Sequence, residues 1–128
     1  LLKLAATAVD AGVDGLVIAN THPVESRLLQ VGRGGLSGAP LFEHTELMIA
    51  DIQAQVQGDV AIVACGGVST AEHVWRLLAI GASAVELYTA FIYEGPGLPA
   101  RINKRLSKLM KAAGISSIGE IYGDPPQL

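Results

Sequence analysis

Three short stretches hold the residues whose types and spacing carry chemical meaning. The first is "AIVACGGVST", residues 61–70, which runs from an apolar β-branched segment through Gly66 and Gly67 to Ser69 and Thr70. Two glycines between a buried strand and a capped helix let backbone N–H groups converge on an anion at the positive end of that helix, which makes a phosphate seat. A tight turn that only needs glycine torsions leaves the same trace, and "CGGVST" alone does not separate the two. The second stretch is "YTA", residues 88–90, at the end of the next apolar run and followed by "FIY", which can open a short helix beside the first site. The third is Asn20 with Thr21, closing "DGLVIANT". An amide offers both donor and acceptor, so Asn20 can read a planar ring bearing carbonyl and N–H groups, with Thr21 adding a hydroxyl; an Asn that caps its own turn is the alternative. Between these lies "RGGLSGAPL", residues 33–41, too rich in glycine for a helix and able either to lie against a flat ligand or to form a surface loop.

The remaining polar residues carry less. Cys65 reads as a small buried hydrophobe at a strand end. His22 stands within reach of the Asn-Thr pair or in solvent, and His44 and His73 lie near helix starts without metal-ligand spacing. Glu86 falls inside a strand pattern and is expected to need a cationic partner. Nine basic against twelve acidic residues give a net charge of −3, and the basic run "RINKRLSKLMK" is interrupted by its own apolar stripe. That charge pattern argues against nucleic acid as a partner. A single cysteine excludes an internal disulfide and any CxxC metal site. No apolar run approaches the roughly 20 residues that cross a bilayer, and no charged-then-apolar leader is read.

The elements follow from periodicity. "LLKLAATAVDAG" is an amphipathic helix ending at Gly12, and "DGLVIANT" is a strand apolar on both faces. A second helix is expected over "ELMIADIQAQVQ", capped by Thr45 and stopped by Gly58, and then the strand "VAIVA". The third helix opens with a capping box, Ser69-Thr70-Ala71-Glu72, and closes at Gly81. "SAVELYT" is the third strand. Pro99 begins a last helix with Ile102, Leu106, Leu109, Met110 and Ala113 on one face, down to Gly114. The tail "SSIGEIYGDPPQL" reads as a short closing segment and a loose end.

Helices and strands thus alternate, which implies a parallel sheet with right-handed crossovers. Each strand ends in a polar or glycine cluster, so the chemistry belongs at the carboxyl ends, and the two last loops of a β/α barrel are its usual phosphate site. Three strands do not close a barrel. The expected fold class is α/β, the C-terminal portion, about three βα units, of a (β/α)8 barrel. Residues 1–128 are read as one partial domain of a longer protein, since the chain opens on Leu1.

In order, "DGLVIANT", "GGLSGAPL", "ACGGVST" and "LYTAFIYEGPGLPARINKRL" resemble the C-terminal part of the dihydroorotate dehydrogenases, and specifically the class 2, quinone-linked form. "GGLSG" before "APL" and a tyrosine before "TA" favour class 2 over the soluble class 1. The resemblance implies an FMN enzyme that oxidises dihydroorotate to orotate in pyrimidine (UMP) synthesis and passes electrons to a quinone. It implies cofactor contacts at Ala19, Gly38, Gly67, Tyr88 and Thr89, substrate contacts at Asn20 and Thr21, and no metal. The class 2 base is a serine in the earlier half of the barrel, so no catalytic residue is expected in this chain and Ser37 is not that base; the piece alone is expected to be inactive.

The resemblance also implies association with the mitochondrial inner membrane or the bacterial cytoplasmic membrane through an N-terminal segment outside this chain. The sequence departs from the family at His22 and Pro23, after the Asn-Thr pair, and at Cys65, before the glycines. Class 1 or another FMN barrel, and a non-catalytic truncated paralogue, are the competing readings.

Overall fold

The computed structural model describes residues 1–56 and 60–123. Helix α1 (Leu2–Asp10) precedes strand β1 (Gly15–Ile18), and an antiparallel hairpin follows, β2 (His22–Glu25) with β3 (Arg33–Leu36). A single 3-10 turn, Ala39–Leu41, runs into α2 (Phe42–Val56). Then come β4 (Ala61–Cys65), α3 (Ala71–Ala79), β5 (Ala84–Glu86), α4 (Thr89–Glu94), α5 (Leu98–Ala112) and a closing 3-10 turn, Ile118–Ile121. Strands β1, β4 and β5 form one parallel sheet in the order β1-β4-β5, with Val17 beside Val63 and Cys65 beside Glu86.

Period-2 alternation sorts the sheet into two unlike faces. Leu16, Ile18, Ile62, Ala64 and Val85 point to the side covered by helices, where Ile62 and Ala64 are wholly buried against Ile49 and Ile52 of α2 and Leu77 of α3. Helix α5 lays its stripe of Leu98, Ile102 and Leu106 on the outside of α3. Val17, Val63, Cys65, Ala84 and Glu86 point the other way, and Val17 is 61% exposed.

Several expectations need correction. Helix α2 starts at Phe42, because the Ala39–Leu41 turn with its Pro40 already sets a helical direction, so Thr45 is no cap but a buried residue of the first turns. Gly58, its expected stop, lies outside the described residues, as does the loose end from residue 124 onward. The cap of α3 falls one residue later than expected: Thr70 Oγ1 accepts the His73 N–H at 3.1 Å, and Glu72 turns outward to Arg105 at 2.9 Å. Strand β5 ends at Glu86, so Thr89 begins α4 instead of closing the strand. "RGGL" is a strand and not an irregular loop, paired with "HPVE". Glu86 sits exposed on the uncovered face, and none of the ion pairs among the described residues includes it.

Candidate functional site

A cavity of about 470 Å³ opens at the carboxyl end of the parallel sheet. Its walls come from four places in the chain: Ala19–Thr21 after β1, Ser37, Gly38 and Leu41 after the hairpin, Cys65–Val68 after β4, and Leu87–Ala90 with Ile92 and Tyr93 around α4. Ala19, Asn20, Thr21, Gly38, Gly67, Tyr88 and Thr89, the residues singled out in the sequence, all line this one space. Among the described residues, no lining side chain carries a charge.

Glycines bring these loops together, and each does so for a specific neighbour. Gly38, at φ +82°, leaves room for Thr89: a Cβ there would lie 3.0 Å from Thr89 Cγ2. A Cβ on Gly35 would lie 2.5 Å from Thr21 Oγ1, so β3 rests directly on the Asn-Thr segment. At Gly66 and Gly67, with φ +137° and +73°, the close partner is the protein itself. A Cβ on Gly66 would meet Thr45 Oγ1 at 2.5 Å, and one on Gly67 would lie 2.6 Å from Phe42 Cα. The bare sides of this glycine pair therefore face the start of α2, while their backbone still lines the cavity.

Asn20 caps its own turn, one of the two things read for it. Its Oδ1 accepts the Thr21 N–H at 2.7 Å, and its Nδ2 donor has no protein acceptor among the described residues. Tyr88 is 75% exposed at the rim. Cys65 is half-buried on the wall, not the core residue the sequence indicated, and burial followed by the nearby Glu86 carboxylate pushes its thiol pKa up.

One residue, His73, has contacts that its reading as a histidine near a helix start did not include. His73 stacks on Phe42 with ring centroids 3.7 Å apart and planes 13° from parallel, and its Nδ1 faces the Ser69 N–H at 3.4 Å. Burial, then the Arg76 guanidinium, push its pKa down, against the pull of the Gly67 carbonyl, Glu72 and Glu46. Arg76 sits 4.8 Å from the Phe42 ring centre and pairs with Glu46 through two hydrogen bonds, Nε to Oε1 at 2.7 Å being one. The spacing of His73 three residues after the true cap, Thr70, was the available signal. His22 and His44 meet edge to face at 5.6 Å beside a second cavity, and no group of three metal-ligating side chains occurs among the described residues.

A sequence profile of the dihydroorotate dehydrogenases matches residues 3–110. A dihydroorotate dehydrogenase (quinone) from Deinococcus deserti is 40% identical over 119 residues, 91% of this chain and 33% of that protein. The mitochondrial dihydroorotate dehydrogenase (quinone) of rice, Oryza sativa, is 36% identical over 96% of this chain and 27% of its own length. Two crystal structures of the Eimeria tenella enzyme superpose with a TM-score of 0.83: the complex with ferulenol at 33% identity over 98% of this chain, and the ligand-free form at 35% over 94%, each across 34% of the Eimeria chain. The chain spans about a third of the length of the curated relatives it matches. Its parallel sheet and one-sided helices are thus the βα units of a (β/α)8 barrel, and the chain belongs to the dihydroorotate dehydrogenase family.

Proposed function

We propose that this chain supplies part of the FMN and dihydroorotate sites of a quinone-linked dihydroorotate dehydrogenase acting in pyrimidine synthesis. The observation that carries this reading is that the loops after β1, β3, β4 and β5 share one uncharged cavity. The cavity suits FMN. Leu41, Val68, Leu87 and Ile92 give apolar wall to a flat ring system, and with no lysine or arginine on the wall a phosphate must be met by backbone N–H groups and the Thr89 hydroxyl. Gly38, Gly67, Tyr88 and Thr89 hold the phosphate end, and Ala19 borders the ring. When bound, the flavin supplies the acceptor for the hydride from C6 of dihydroorotate.

The chain's own residues bind and orient. Asn20 donates from Nδ2 to a pyrimidine carbonyl, and its Oδ1 bond to the Thr21 amide fixes which edge of the side chain is presented. Thr21, held under Gly35, places a hydroxyl next to it. The apolar walls exclude water from the ring face. By the family resemblance the base that takes the C5 proton is a serine outside this segment and not Ser37, so the 128-residue chain alone gives no turnover. The quinone acceptor and attachment to a membrane rest on the named relatives, one of them mitochondrial; no described helix is long and apolar enough to cross a membrane.

The test is direct. The complete gene product should purify with flavin absorbance, and dihydroorotate should bleach it until quinone is added. Asn20→Ala should retain near-normal FMN while losing roughly 5- to 150-fold in pyrimidine affinity, the equivalent of about 1 to 3 kcal/mol for a buried partner left unpaired. Bleaching by dihydroorotate with unchanged rate and affinity in that variant would refute the substrate assignment.

A further inference from the structure

We propose that His73 is a positioning residue for the Gly66–Gly67 turn: as a neutral imidazole lying flat on Phe42, it accepts the Ser69 amide proton and sets the backbone that faces the bound phosphate. What the turn holds rests on the FMN reading above; the positioning itself does not.

Three contacts close a triangle. The backbone of Gly67 packs against the backbone of Phe42, the Phe42 ring stacks on His73, and His73 Nδ1 faces the Ser69 N–H two residues beyond Gly67. Glycines at positive φ have no side chain to fix them, so their orientation has to be imposed by neighbours. Helix α2 imposes it from one side through Phe42 and Thr45. From the other side it is imposed by α3, whose first turn is itself pinned where Thr70 Oγ1 accepts the His73 N–H.

The acceptor exists only on the neutral ring. Protonation turns Nδ1 into a donor facing the Ser69 donor, and the turn loses that restraint. The charged groups around the imidazole are Arg76 and Glu72 on α3 and Glu46 on α2, with Arg105 of α5 holding Glu72 and Glu43 acting on Arg76. Burial and Arg76 outweigh the Gly67 carbonyl, Glu72 and Glu46 and lower the pKa of the ring, which favours its neutral form.

Two variants separate position from packing. His73→Phe keeps an aromatic ring for Phe42 and removes the acceptor, whereas His73→Asn returns an acceptor at the δ position that does not titrate. FMN affinity of the complete gene product is measured from pH 8 to pH 5.5, together with amide exchange at Val68 and Ser69. For His73→Phe we expect FMN to bind about tenfold more weakly and the Ser69 amide to exchange about tenfold faster, as for one lost hydrogen bond. For His73→Asn we expect affinity and protection near wild type, without the acid-side loss that wild type shows. Wild-type affinity and Ser69 protection in His73→Phe overturn the proposal. A wild-type protein that binds no FMN refutes the cofactor reading instead, and the Ser69 exchange rates still decide the role of His73.

Discussion

Gly67 carries two duties at one residue. Its backbone lines the cavity, and its bare side admits the first turn of α2. Gly67→Val should therefore cost folding stability as well as ligand, because it meets backbone that cannot swing aside and adopts a φ that β-branched residues avoid. Left-handed strain and overpacking together amount to about 2 to 6 kcal/mol. Urea unfolding of the variant should show the midpoint well below wild type even with excess FMN; an unchanged midpoint would mean that the turn relaxes freely. The sequence announces that the pair needs positive φ but not which neighbour comes close. Phe42 lies 25 positions upstream of Gly67 in the chain, and nothing local to "CGGVST" names it. Cys65 is similar, since its strand pattern fixes the alternation but not which face the helices cover.

At the scale of elements, α1, α3 and α5 were legible because each buries one periodic face and stops at a glycine, Gly12, Gly81 and Gly114, all with positive φ, and β1 and β4 were legible as short apolar, β-branched runs. The hairpin was not. Apart from half-buried Val24, its strands are exposed along their length, and Gly34 and Gly35 give no alternation to read. Its pairing comes from tertiary support, with Leu29 folded toward Gly34 and Thr21 beneath Gly35. The hairpin should accordingly act on substrate rather than cofactor. Gly35→Val would displace Thr21, and pyrimidine binding should weaken about tenfold, on the scale of one lost hydrogen bond, while flavin content holds. Titration of the purified flavoprotein with orotate checks this, and loss of flavin in parallel would place the hairpin with the phosphate end instead.

For the whole molecule, acid is the destabilising direction. His73 has its pKa lowered by burial and then Arg76, so the unfolded chain binds its proton more readily; stability falls as pH drops below the ordinary value of 6.5 toward the depressed one. Glu72 has its pKa lowered by its own backbone N–H and then Arg105, so its contribution is present above the ordinary 4.5 and lost as pH falls through the lowered value. Melting temperature should decline in two steps, one beginning as pH drops below 6.5 and one as it drops below 4.5, and His73→Asn should remove the upper step only. A profile flat from pH 7 to pH 5 would show that His73 is not perturbed. The last consequence comes from the sheet with helices on one side. Val17, Val63 and Ala84 form an apolar strip in water, which gives the 128-residue chain an adhesive surface. In the ultracentrifuge its weight-average mass should climb with concentration, and Val17→Lys should hold it at one chain: the stickiness of this piece would be a measure of how much surface a neighbouring structure has to cover.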